Sequence, residues 1–146
     1  GAAVECDALD VRDLSTILHL DKEAFGADRS PVLTHLIRES PESAWGCGKG
    51  SSLDGYILGR TGDRFHHLGP LVARNTHDAC YLLTCALPSA AGKSVIIDIV
   101  SSRTEFMRWI EAKGFVLQRP FTRMTRGRVP GDQIELITAI AGPEYG

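Results

Sequence analysis

Apolar residues recur along this chain with two different periods, and the switches between them divide it into elements. From Asp10 to about Phe25, Val11, Leu14, Ile17, Leu18 and Phe25 fall at steps of three and four. That spacing puts them on one face of a helix, with Asp10 as its cap and Gly26 as its end. A second helix follows, with Ser30 as N-cap and Pro31 in the first turn. Its stripe is Val32, Leu33, Leu36 and Ile37, and Pro41 stops it. Short strands come next. Ser43–Cys47 and Leu53–Arg60 flank a flexible Gly-Lys-Gly-Ser-Ser connection, and Arg64–Ala73 forms the third strand of a meander. Proline cannot donate to a ladder, so Gly69-Pro70 predicts a bulge or an unpaired stretch within that third strand.

Thr76 is the expected cap of a third helix, whose stripe is Ala79, Leu82, Leu83 and Ala86. Ser94–Val100 is almost continuously apolar, which suits one strand covered on both faces. Ser102 and Glu105 read as a capping box for a fourth helix, with Phe106, Trp109 and Ile110 on its buried face and Gly114 as its left-handed end. Phe115–Gly127 and Ile134–Ile140 are expected as two closing strands, and Ala3–Cys6 as a short opening one. The order β-α-α-β-β-β-α-β-α-β-β gives a mixed sheet with helices on both faces.

Composition narrows this only a little. The chain has 146 residues, enough for one domain with a core. It is 43% hydrophobic and 23% charged, with a formal net charge of −2. That balance gives no bulk attraction to nucleic acid, and no apolar run approaches the roughly 20 residues of a membrane helix. The start carries no basic and apolar leader pattern. Cys6, Cys47, Cys80 and Cys85 include no C-x-x-C spacing, so no metal site is expected. They read as reduced thiols of a cytoplasmic protein.

Two positions carry candidate chemistry. His66 and His67 fall on opposite faces of a strand, so one of them points inward. Asp98 interrupts a buried apolar strand, where a carboxylate needs a partner or a raised pKa. His67 or Asp98 can relay a proton, or each can be structural, a hydrogen-bonded histidine beside the sheet and an acceptor at a strand end. Arg119 and Arg123 share a strand face with Phe121, and Arg126 and Arg128 follow, as a solvated edge or as a basic surface for a carboxylate, a phosphate or the acids of another domain. Tyr56 and Trp45 read as packing residues.

The element order is that of the GNAT N-acetyltransferase fold. Glu111–Phe115 (E-A-K-G-F) resembles the superfamily's helix-end signature Y-x-x-x-G-F. The phrases LDKEAFGADRSPVL (20–33), GYILGR (55–60), LGPLVA (68–73), IIDIVS (96–101), GF…RPFTRM (114–124) and AIAGPEYG (139–146) resemble the C-terminal half of two-domain bacterial GNAT proteins. The resemblance implies an α/β (α+β) fold. Its sheet would be mixed, mostly antiparallel, of about six or seven strands, with a central parallel splayed pair and four helices. The whole of 1–146 would be one such domain, preceded in the full protein by an N-terminal GNAT domain of similar size.

The family transfers an acyl group from acetyl-CoA or another acyl-CoA to an amine. Its bulged strand splays from the next parallel strand, and the opening binds the pantetheine as a pseudo-strand. The following helix N-terminus receives the pyrophosphate. By position this assigns Leu71, Val72 and Ala73 to the pantetheine, and Arg74, Thr76 and His77 to the phosphates. Active members carry Q/R-x-x-G-x-G/A at this turn, but no glycine occurs here from Val72 through Leu87. Backbone approach to a phosphate is then harder, and Asp78 would repel one. The general-acid tyrosine is replaced by Ile110, and an upstream asparagine by Arg103. Three readings follow. The domain shapes the site of a small-molecule amine acceptor while its N-terminal partner holds acyl-CoA. It acts alone through Arg74 and His77. Or it is a non-catalytic binding or dimerisation module, as in a homodimer, with a closed wedge and no pocket beside Asp98.

Overall fold

In the computed structural model, described over residues 5–49, 51–120 and 133–142, the first helical pattern begins as a 3-10 turn. Asp10 accepts from the Arg12 N–H at 2.8 Å and forms a reciprocal capping box with Asp13 around Val11–Asp13. Helix α1 (Leu14–Phe25) continues from it and ends at Gly26, whose φ of 83° is the left-handed conformation that glycine adopts at least cost. Helix α2 (Ser30–Glu39) has Pro31 in its first turn, as expected. Its cap residue is Arg29 rather than Ser30, and the Ser30 N–H is taken by the Asp28 carboxylate at 2.8 Å.

Strands β1 (Cys6–Ala8), β2 (Trp45–Cys47), β3 (Gly55–Thr61) and β4 (Phe65–Ala73) form an antiparallel meander. Helix α3 (Thr76–Ala86) leads to β5 (Ser94–Ile96) and β6 (Asp98–Ile99), then α4 (Thr104–Ala112) and β7 (Ile137–Ile140). The expected single strand over 94–100 is therefore two short ones. The capping box expected from Ser102 and Glu105 is also not formed: Arg103 is the cap residue of α4 and makes no side-chain cap bond. The sheet order is β1-β2-β3-β4-β7-β6, with β5 also beside β4. The described residues 115–120 are neither helix nor strand. The remainder of the strand expected there, with Phe121, Arg123 and Arg126, and Arg128 just after it, lie outside the described residues. No described helix is long and apolar enough to cross a membrane.

The period-2 alternation of β3 sorts the core into two layers. Tyr56 and Leu58 face α1 and α2 and pack with Ile17, Leu20, Leu33, Leu36 and Ile37. Ile57 faces the other way, with Leu68, Leu71, Leu82, Leu83, Phe106 and Ile110. Full burial of each such side chain contributes about 1.5–3 kcal/mol.

Two polar groups sit inside these layers. Asp21 is fully buried and takes Arg29 Nε at 3.0 Å and Nη2 at 2.5 Å. Tyr56 donates to the same carboxylate. Burial, then the adjacent carboxylate, pushes the phenol well above its ordinary pKa, so it remains a donor. The Arg29 guanidinium also lies 4.0 Å over the Phe25 ring. This network ties the end of α1, the α1–α2 connection and β3 together.

Contrary to the expectation of one inward histidine, both His66 and His67 are buried. His66 bonds Ser43 Oγ at 2.7 Å through Nε2 and Thr61 Oγ1 at 3.1 Å through Nδ1. Burial lowers its pKa, against the opposing pull of Glu42.

Replacing Asp21 with alanine leaves a buried guanidinium without its partner, and should cost about 3–5 kcal/mol in chemical denaturation. A loss below about 1 kcal/mol would refute a structural role for the pair. His66 is buried neutral and must take up a proton when the chain unfolds in acid. Its contribution is complete above about pH 6.5 and is lost as pH falls toward its depressed folded value, by at most about 1.4 kcal/mol per pH unit. Urea midpoints at pH 7.5 and 5 should therefore differ less in His66→Gln than in the wild-type chain, and equal slopes would remove His66 as the cause.

Candidate functional site

The site expected from the sequence is the place where β4 changes partner. Ile57 pairs with Leu71 but Gly59 pairs with Leu68, so Gly69 and Pro70 together oppose Leu58. This is the predicted bulge. Before it, Phe65–His67 pairs in parallel with Ser94–Ile96. After it, β4 and the departing chain separate.

The opening between them is filled by the chain itself. Strand β7 runs antiparallel to β4 through Leu71↔Ala139 and Val72↔Ile137. On its other edge it pairs with β6 through Asp98↔Ile140 and Ile99↔Ala139, and the Val100 N–H donates to Thr138 O at 2.9 Å. Gly69 makes this possible. A Cβ there would lie 2.2 Å from the Ile140 carbonyl oxygen, and φ is 148°. Arg103 holds the entering chain, donating from Nε to Ile137 O at 3.0 Å and from Nη2 to Ile134 O at 2.8 Å.

His67 and Asp98 meet at the apex of this opening, Nε2 to Oδ2, at 2.8 Å. Their side chains are 9% and 11% exposed. His67 Nδ1 is buried and has no hydrogen-bond partner among the described residues. An imidazole paired with a carboxylate can hold a proton on one nitrogen and exchange one at the other, which is the arrangement a general base uses.

The expected cofactor residues divide into two groups. Leu71, Val72 and Ala73 are buried strand positions paired with β3 on one side, and Leu71 and Val72 also with β7 on the other. Arg74, Thr76 and His77 line an open groove of about 460 Å³ between the starts of α3 and α4, together with Arg103, Glu105 and Glu135. Arg74 is engaged: its two terminal nitrogens reach Glu23 at 3.2 and 3.0 Å, and Asp54 lies 3.7 Å from Nε. The cap of α3 is Asn75, not Thr76. Its Oδ1 accepts from the Asp78 N–H at 2.8 Å, and its amide donates to the Asp78 carboxylate at 3.1 Å. His77 is exposed, 3.8 Å from Asp78. Ile110 is buried against the α3 side of the sheet.

Sequence reasoning thus found His67 and Asp98 as single candidates and missed that they are partners. Both lie on one face of parallel register, His67 opposite Ile96 and Asp98 two residues on, and that register could have linked them. Arg103 was noticed only as a replacement, and its role in holding β7 has no local signal.

Among known proteins, the acetyltransferase (GNAT) domain family matches residues 17–138. A comparison with curated protein sequences returns no match. A GNAT-family acetyltransferase from Bacillus cereus superposes with a TM-score of 0.66 at 20% identity, over 86% of this chain and 92% of that one. Ard1 from Thermoplasma volcanium gives 0.64 at 16% identity, over 81% and 86%. A putative acetyltransferase from Pyrococcus horikoshii gives 0.63 at 20% identity and covers 100% of this chain but 47% of that one. At these identities the likeness is one of fold, and the mixed, mostly antiparallel sheet with four helices is the fold expected.

Gly69→Ala should expel β7 before it disturbs the meander. The expected cost is about 2–4 kcal/mol from the contact and the backbone strain. Hydrogen exchange should quicken at Ile137–Ile140 more than at Tyr56–Leu58, and unchanged protection of β7 would refute the steric argument.

Proposed function

Because the chain belongs to the GNAT acetyltransferase family, we propose that it serves acyl transfer from an acyl-CoA to an amine as the half that shapes the acceptor site, while a second GNAT domain of the same protein holds the acyl-CoA. The observation that carries this reading is β7 in the opening beside β4. A pantetheine pseudo-strand needs unpaired backbone groups on β4. Here Leu71 and Val72 have β3 on one side and β7 on the other. Seating the cofactor would require β7 to leave, exposing Ile137 and Ala139, which are buried. The turn supports the same reading. Asn75 and Asp78 cap α3 from within the chain, and Glu23 holds Arg74. The match to about half of the Pyrococcus horikoshii chain fits a two-domain arrangement.

In this reading His67 and Asp98 are the proton relay. The amine nitrogen attacks the thioester carbonyl, the proton it sheds passes to the imidazole, and CoA leaves as the thiolate. Asp98, 2.8 Å from Nε2, orients the ring. The acceptor is an amine, small molecule or protein.

A second reading rests on the burial of that pair. With Nδ1 of His67 enclosed and the opening filled, the domain would be a non-catalytic module for docking or dimerisation.

Titration of this chain with acetyl-CoA in a calorimeter should give no heat, or only millimolar binding. Micromolar affinity would overturn the division between the halves. If Arg74→Ala then weakened it, the domain would instead be a self-sufficient enzyme. In the two-domain protein, Asp98→Asn should lower kcat roughly 100-fold with KM for acyl-CoA unchanged. A normal kcat in a folded Asp98→Asn variant would favour the non-catalytic module.

A further inference from the structure

All four thiols are free, and three of them converge. β1 and β2 pair in a register that sets Cys6 directly opposite Cys47. In the same register, the Leu9 N–H donates to Ala44 O at 2.9 Å, which makes Leu9/Ala44 a hydrogen-bonded pair. Pair types alternate along an antiparallel ladder, so Asp7/Gly46 is hydrogen-bonded again, and Ala8/Trp45 and Cys6/Cys47 are not. The Cys47 carbonyl agrees with this: it accepts from the Asp54 N–H at 2.8 Å, on the side away from β1. Non-hydrogen-bonded partners bring their Cα atoms to about 4.5 Å, within the span of about 4.4–6.8 Å that a disulfide bridges.

Cys85 reaches the same place from α3. Its thiol and that of Cys47 both add to the burial that raises the Cys6 pKa. Cys80, on the same helix, has Glu105 and Lys113 beside it instead of a thiol. Among the described residues no group of three or more His, Cys, Asp or Glu could hold a metal ion. Cys47 is buried, whereas Cys6 is half-buried on an edge strand that small reagents can reach.

We propose that Cys6 and Cys47 are a reversible dithiol–disulfide pair that staples the edge strand β1 to the sheet, with Cys85 as a third thiol able to exchange into it. The step needs a disulfide or peroxide oxidant. With oxidised glutathione, the Cys6 thiolate attacks one sulfur and releases one glutathione. Cys47 then attacks Cys6 of the mixed disulfide and releases the second. Two protein thiols lose two protons and two electrons, and one glutathione disulfide becomes two thiols. Burial pushes the Cys47 thiol up to about 12, and Cys6 is raised as well. Thiolate is therefore scarce and both steps are slow. For the same reason each sulfur is a poor leaving group, so the closed disulfide resists reduction. The loop it closes contains α1 and α2, the whole layer on one face of the sheet. The disulfide thus restrains the unfolded chain most where that layer must be assembled.

The test is to incubate the full chain with oxidised glutathione, block remaining thiols by alkylation, and measure intact mass and linked peptides. The expected result is a loss of two hydrogens, a Cys6–Cys47 peptide, reversal by dithiothreitol, and a higher denaturation midpoint for the oxidised chain. Cys6→Ser should abolish the loss, and Cys80→Ser should leave it intact. A stable glutathione adduct on Cys6, a dominant Cys6–Cys85 peptide, no change in mass, or the same loss in Cys6→Ser would each overturn the proposal. None of these outcomes depends on whether the domain binds acyl-CoA.

Discussion

A β-strand that leaves its neighbour inside a protein exposes a row of N–H and C=O groups that must be paired again. That constraint organises this molecule. The bulge at Gly69-Pro70 shifts β4 by one residue against β3, and beyond it β4 and β6 part. The exposed rows are met by β7, which pairs on both edges. Glycine at position 69 follows from this, because the Ile140 carbonyl occupies the space a side chain would need. So does the role of Arg103. A strand of four residues between two partners still has to be led in, and its guanidinium fixes the two carbonyls at the point of entry.

The electrostatics of the region follow the same geometry. Where β4 changes partner from β5 to β7, the backbone ladder is interrupted, and the His67–Asp98 hydrogen bond spans that interruption. A buried carboxylate is tolerable there because an imidazole faces it. On the opposite face of the same strand His66 is hydrogen-bonded to hydroxyls, and burial lowers its pKa against the pull of Glu42. Two adjacent histidines of one strand therefore differ in the partner each face supplies. Of the two, His67 is the one hydrogen-bonded to a carboxylate.

Much of this was legible in the chain because it is local. The helices followed from three- and four-residue apolar steps, and Gly26 and Pro31 marked ends that the structure keeps. The bulge followed from the chemistry of proline alone. The division of Ser94–Val100 into two strands was not legible, since an uninterrupted apolar run says nothing about which neighbour each half pairs with. Asn75 and Thr76 are adjacent residues with similar capping ability, and the extended backbone at Asn75 decided between them. The Asp21–Arg29–Tyr56 network was hidden for another reason: its members are spread from the first helix to the third strand, and only the packing of α1 on β3 joins them. The insertion of β7 is the most distant pairing among the described residues, between positions near 71 and near 139.

The departures from an acyl-CoA site fall in two places that one ligand would have to span. A pantetheine arm and its pyrophosphate belong to one ligand, so a slot without a cradle, or a cradle without a slot, binds only a fragment of it. Here the slot is occupied by Ile137–Ile140. At the start of α3 the Asp78 N–H is taken by Asn75, and Arg74 is held by Glu23. Arg103, the other cation of the groove, is spent on the carbonyls of the inserted chain. Withdrawing β7 would free Arg103 and the edge of β4 together, while the α3 cap and the Arg74–Glu23 pair would remain. The opening and the turn are thus satisfied independently of each other. An occupant of the whole site would have to displace both sets of bonds, and that double requirement separates this arrangement from one whose site is merely closed.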